Sequence, residues 1–209
     1  MRSYKSIRLT TAVSALALLS VAATSISAPR VREYPVMASS GQDVRLTRKL
    51  IALSPTVRND EARQVAMCAY TTGQELKKKW KPVWPPGLQV ILANKGKKKG
   101  GLCYQYAAEL LVRLDALKLQ TLEPHWAESF ANTMSEHNVI VVTAKGQPFS
   151  EGVLLDNWRY GGNLIYGSVA ADPEYRWSEN NGEILARLRA SATSAQQPTT
   201  AKQASSKSE

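Results

Sequence analysis

A chain of 209 residues, 44% of them apolar, is long enough for one ordinary domain with flanking segments. A domain of roughly 150–160 residues buries enough apolar surface to stand without disulfide staples, so its two cysteines are not required as a framework. The net charge of +10 favours anionic partners such as cell-wall polymers, phospholipid head groups or nucleic acid.

Arg2, Lys5 and Arg8 precede an uncharged apolar stretch, Ala12 to Ala23, in the pattern of a secretory signal. Ser25-Ile26-Ser27 places small residues at both cleavage-determining positions, so residues 1–27 read as signal peptide and Ala28 as the first mature residue. The stretch is shorter than the about 20 residues of a membrane span, and it holds no Cys for a lipid anchor. An uncleaved N-terminal anchor is the open alternative. No later segment resembles a span, so the rest is expected to be exported, either secreted or periplasmic.

Residues 28–58 read as leader or linker, Pro-, Arg- and Ser-bearing and aperiodic as far as about Gly41. Asn59-Asp60 can cap a helix that runs to about Lys79, with Ala62, Val65, Ala66 and Ala69 at helical spacing. Pro82, Pro85 and Pro86 end it, and Leu88 to Leu92 is a short apolar run. Two basic clusters stand out, Lys77-Lys78-Lys79-Trp80-Lys81 and Lys95-Gly96-Lys97-Lys98-Lys99. The bland reading is a solvated helix end and loop, and nucleic acid is not the expected partner of an exported chain.

From Leu102 to about Leu117, Cys103, Tyr106, Ala107, Leu110, Leu111, Leu114 and Leu117 share one helical face. Strand-like stretches follow at Leu119 to Glu128, His137 to Thr143, Val153 to Trp158 and Asn163 to Val169, with Gly161-Gly162 as a turn. Asn180 to Arg189 reads as a closing helix. Residues 190–209 are Ser-, Thr-, Ala-, Gln- and Lys-rich and read as a disordered tail. The order implies an α+β domain over 59–189, an antiparallel sheet packed on helices.

Cys103, His137 and Asp156 form the candidate site. A thiolate is the nucleophilic form of Cys, and it is favoured at helix N-termini and beside cations. Cys103 starts a helix after Gly100-Gly101, which leave the approach to it free of side chains, and the lysines from Lys95 to Lys99 precede it. The N–H groups of that helix start can face an oxyanion. If Val139 pairs with Leu154 and Val141 with Gly152, His137 stands opposite Asp156 at about 4.5–5.5 Å between Cβ atoms. A slip of one residue would separate them onto opposite faces. His125 is the alternative base, without an obvious carboxylate across a short hairpin. A Cys68–Cys103 disulfide is the structural alternative in an oxidising compartment. Neither cofactor nor metal is expected, because the three residues lack paired metal-ligand spacing.

Gly101-Leu102-Cys103-Tyr104-Gln105-Tyr106-Ala107, the strand opened by His137, and Gly152-Val153-Leu154-Leu155-Asp156-Asn157-Trp158 together resemble the transglutaminase-like superfamily of papain-like cysteine enzymes, among its small exported bacterial members. The resemblance covers about 60–169. It implies a Cys at a helix N-terminus, His and Asp on successive antiparallel strands, and acyl transfer from a peptide or protein substrate. Asn157 departs from the Pro that related sequences often carry after the Asp, and it is expected to loosen that turn. Two functions stand open. One is a cysteine-dependent hydrolase or acyltransferase acting on peptide or amide bonds. The other is a non-catalytic exported module that meets anionic cell-envelope polymers through basic residues and Trp80, Trp84, Trp126 and Trp158.

Overall fold

The computed structural model describes residues 41–196. The expected signal peptide and the start at Ala28 lie outside the described residues.

Two long helices carry the apolar stripes anticipated from spacing. Helix α1 spans Gln42–Ile51, α2 Asn59–Trp80, α3 Pro86–Asn94 and α4 Cys103–Ala116. Asp60 and Glu61 stand in the first turn of α2 and Lys77, Lys78 and Lys79 in its last, in the sense that opposes the helix dipole. Pro86 begins α3 at a position where its missing N–H is harmless. Strands follow: β1 Leu122–Ser129, β2 His137–Ala144, β3 Val153–Tyr160, β4 Asn163–Ser168 and β5 Ser178–Glu179, then helix α5 Asn181–Gln196. The fold is α+β, with five helices and one antiparallel five-stranded sheet in the order β4-β3-β2-β1-β5 among the described residues.

Strand β2 is the middle strand, and all its residues are buried. Alternation sends Ile140, Val142 and Ala144 to one face, where they join Leu46, Leu50, Val65, Leu110 and Leu114 in the main core. Val139 and Val141 point to the other face, into a smaller cluster with Ala127, Leu154 and Val169. Helix α2 lies close on the β3–β4 turn. A Cβ on Gly73 would fall 2.4 Å from Asn157 Oδ1 and 2.5 Å from the Gly162 carbonyl oxygen, so only glycine permits that approach.

Three expectations need correction. The second half of the 28–58 leader is helix α1, because Leu46 and Leu50, four residues apart, are both fully buried on α2 and the sheet. The run at Leu88 to Leu92, to which the sequence assigns no element, lies in α3. The closing helix passes Ala190, where a tail was expected, and reaches Gln196. Ile184 and Leu188 anchor its first half on the core, and the Ala- and Ser-containing remainder propagates from that start. The β2–β3 register is two residues away from the one assumed: Val141 faces Leu154 and Ile140 faces Leu155. The turn Phe149–Glu151 takes up the difference.

Leu50→Ala is expected to lower the unfolding free energy by about 2–4 kcal/mol, as for any fully enclosed leucine. Urea denaturation measures this, and a loss below about 0.5 kcal/mol would show that α1 is an appended segment.

Candidate active site

The segment before Cys103 is held from three sides. The Gly100 carbonyl accepts from Gln89 Nε2 at 2.7 Å, and Gln89 Oε1 accepts from the Val83 N–H at 3.1 Å. The Gly101 carbonyl accepts from Trp158 Nε1 at 2.9 Å. The Leu102 N–H donates to Gln105 Oε1 at 3.0 Å, which anchors the first turn of α4. Gly100 and Gly101 have φ of 141° and 85°. A Cβ there would lie 2.8 Å from Trp80 Nε1 and 2.9 Å from Gln89 Nε2. The pair is thus explained by backbone shape and close neighbours rather than by substrate approach.

His137 opens β2 and is 1% exposed. Its Nε2 meets Asp156 Oδ2 at 2.7 Å. The two-residue register offset preserves strand parity, so the two side chains remain on one face. Because a carboxylate accepts, Nε2 carries the proton, and Nδ1 is the nitrogen left for proton exchange. Nδ1 is buried and has no hydrogen-bond partner among the described residues. Cys103 lies alongside: its thiol donates to the Glu136 carbonyl at 3.7 Å, and Asn138 Nδ2 stands 3.9 Å from Sγ.

Asp156 is the best-satisfied group of the site. Pairing of β3 with β4 is irregular between Asp156 and Tyr160. That bulge turns the N–H groups of Trp158 and Arg159 onto Asp156 Oδ1, at 2.8 and 3.0 Å. Arg159 Nε adds a bond to Oδ2 at 3.0 Å. Arg159 then reaches Asp172 Oδ2 at 2.8 Å, and Asp172 accepts from the Glu174 and Tyr175 N–H groups and from Trp177 Nε1. The loop 172–177 is thereby folded over His137. The rings of Trp158, Tyr175 and Trp177 lie 4.9, 4.8 and 5.3 Å from the imidazole.

Burial alone would discharge His137. The charge and hydrogen bond of Asp156, joined by Cys103, outweigh that and push its pKa up to about 9. Burial would likewise raise Asp156, yet His137 and Arg159 hold it well below the usual carboxylate range. Burial raises the Cys68 thiol.

His125 does not join this group. Its Nδ1 meets Glu179 Oε1 at 2.5 Å and its Nε2 meets Thr143 Oγ1 at 2.8 Å, so it has the carboxylate partner it was expected to lack, on β5. Cys68 and Cys103 are both free, with no disulfide between them. Cys103 is 8% exposed and Cys68 half-buried, so the site thiol, whose approach was expected to be open, is the more enclosed of the two. Asn157 is within β3 rather than in a turn, and its Nδ2 donates to the Ala69 carbonyl at 3.1 Å, tightening β3 on α2. Of the expected tryptophan surface, Trp126 is fully buried, Trp80 and Trp158 are half-buried, and only Trp84 is exposed.

Asn138, Arg159, Asp172, Tyr175 and Trp177 were missed from sequence. Their only local signal is adjacency to His137 and Asp156 and the aromatic content of the loop that ends in Trp177. No helix among the described residues is long and apolar enough to cross a membrane. No family model, curated protein or solved structure matches this chain.

The His137–Asp156 pair has a signed pH dependence. His137, raised from 6.5 to about 9, contributes stability that is full below pH 6.5 and lost as pH rises through about 9. Asp156, lowered from 3.8, contributes above pH 3.8 and loses this as pH falls further. The stability difference between wild type and His137→Gln is therefore expected to shrink by about 3 kcal/mol between pH 6 and pH 9.5. Urea midpoints across that range check it, and a constant difference would refute the raised imidazole.

Proposed function

We propose that the protein is an exported, secreted or periplasmic cysteine-dependent hydrolase or acyltransferase. It acts on peptide or amide bonds of a peptide or protein substrate, on a transglutaminase-like core. The observation that carries this reading is the polarity of His137: Nε2 engaged by Asp156, and Nδ1 unpartnered with the Cys103 thiol close by. In this reading the Cys103 proton passes to Nδ1 to give the thiolate–imidazolium pair that the raised imidazole favours, and the thiolate of that pair attacks the carbonyl carbon. Asn138 Nδ2 and the first N–H groups of α4 stabilise the oxyanion. The imidazolium then protonates the departing amine as the C–N bond breaks, leaving a thioester on Cys103. Water or a second amine, deprotonated by His137, releases the acyl group and restores the thiol. Asp156 keeps the imidazole oriented and favours its charged form.

Trp126 sets the polarity of Asn138. Its Nε1 donates to Asn138 Oδ1 at 2.9 Å, so the amide NH₂ is the end that faces sulfur.

A second reading, the non-catalytic exported module, draws on the enclosure of Cys103. One experiment separates the two. Exposure alone ranks Cys68 as the faster thiol, whereas activation by His137 ranks Cys103 first. Iodoacetamide at pH 6, with the modified residue identified by mass spectrometry, is expected to label Cys103 at least tenfold faster than Cys68. His137→Ala should shift the Cys103 rate profile to higher pH, Asp156→Ala should do so in part, and His125→Ala should leave it unchanged. Faster labelling of Cys68 in the folded protein would sink the catalytic reading.

A further inference from the structure

Helix α3 has two dissimilar sides. Its inner side carries Gln89, 1% exposed, which grips Gly100 and Val83. Its outer side carries Leu88 and Ile91, three residues apart on one helical face, 41% and 52% exposed. Trp84, one turn before Leu88, is 63% exposed and stacks on Tyr160 at 5.6 Å with rings only 13° from parallel. One face of the indole is braced and the other is left to solvent. Trp84 just before α3, and Leu88 and Ile91 on it, thus form an exposed apolar ridge along residues 84–91, without a covering segment among the described residues. Scattered exposed hydrophobics need no explanation, but a ridge of this kind does.

The ridge is set in positive charge. The two lysine clusters are separated in sequence by α3 and joined in space: Lys98 Nζ donates to the Lys81 carbonyl at 2.9 Å. Lys81 and Lys98 thus meet beside α3, and Lys95, Lys97 and Lys99 belong to the same loop as Lys98. Of the lysines in both clusters, only Lys79 has a carboxylate partner, Glu109, among the described residues. Lys77 Nζ is bound to a neutral amide oxygen, that of Asn163. Cations without internal counter-charges, on the segments flanking an exposed Trp, Leu and Ile, match a surface that is negative outside and apolar beneath. A short helix with an exposed Leu–Ile pair, a Trp just before it and Lys-rich segments on either side in sequence has the composition of an interfacial segment.

We propose that α3 and its flanking lysines dock on an anionic lipid bilayer, Trp84, Leu88 and Ile91 entering the headgroup boundary and the lysines meeting lipid phosphates. An acidic polymer alone would use the lysines and leave the ridge uncovered. A nucleobase cannot insert between Trp84 and Tyr160, which are already in contact. The inference is independent of the thiol chemistry, though Gln89 means that docking would bear on the loop before Cys103.

The test uses the full chain and vesicles of phosphatidylcholine with 30% phosphatidylglycerol, brominated on the acyl chains, against pure phosphatidylcholine. Binding to the anionic vesicles is expected to be at least tenfold tighter, and to weaken at least tenfold when salt is raised from 0.1 to 0.5 M. Brominated lipid should quench a fraction of the tryptophan emission, and Trp84→Phe should abolish that fraction. This readout is local to the ridge, so attachment through the N-terminal apolar stretch would not produce it. Leu88→Ser with Ile91→Ser should reduce binding at least tenfold while circular dichroism and the thermal midpoint stay as in wild type. Quenching that persists in Trp84→Phe, or binding untouched by the Ser pair, would overturn the proposal. So would equal binding to polyglutamate with no dependence on Leu88 and Ile91, which would leave a charge-only surface.

Discussion

The Asp156 carboxylate is the constraint from which the rest of the site follows. It is almost fully enclosed, and an ionised group in that position is tolerable only if every oxygen is answered. Two backbone N–H groups, an imidazole and a guanidinium answer it. Each donor has a structural consequence. The N–H groups are released to it by the bulge in β3. The imidazole is fixed at Nε2, which decides the free nitrogen. The guanidinium extends the network to Asp172, and Asp172 folds the loop that brings Tyr175 and Trp177 onto the imidazole. Taking away the carboxylate would strip His137 of its counter-charge and leave Arg159 to Asp172 and Glu174, so its effect would reach well past His137.

Cys103 is positioned by a separate set of forces. Helix α4 rests on the core through Tyr106, Ala107, Leu110, Leu111 and Leu114. The two positive-φ glycines before it are pinned by Gln89 and Trp158. Trp158 belongs to β3, next to Asp156 by one residue, and so ties the two halves together. Where the thiol and the imidazole meet, the start of the central strand contributes Glu136 and Asn138 from either side of His137. Thiol, amide and imidazole therefore come from one turn of helix and three consecutive residues of chain.

Much of the architecture was legible because it rests on period. The apolar positions of α2 and α4 and the strand runs of β2, β3 and β4 need only one face or two faces buried, and their residues show it. The pairing of His137 with Asp156 survived a misjudged register because a slip of two residues preserves the face. What escaped depends on contacts between distant segments. Leu46 and Leu50 are too few to show a period. The outer side of α3 is apolar where a soluble helix would be polar, which hides its helical character. Strand β5 has two residues, and its partner is chosen by the His125–Glu179 contact rather than by local preference. Asn157 looked like a turn residue and is instead a buried tie to the Ala69 carbonyl.

The unequal burial of β2 and β5 has a consequence for how the molecule opens. Every residue of β2 is enclosed and paired with β1, and Ile140, Val141 and Val142 are paired with β3 as well, so the amide hydrogens of this middle stretch are expected to exchange only when the domain as a whole unfolds. Strand β5 is an exposed two-residue edge, held on β1 by Ala127, Glu128 and the His125 contact. Its opening free energy belongs at the low end of the scale. The floor of the site, His137 and Asn138, is enclosed at the start of that same strand, while the aromatic cover between Asp172 and β5 adjoins an early-opening edge. The two can exchange with solvent on separate timescales within one folded chain.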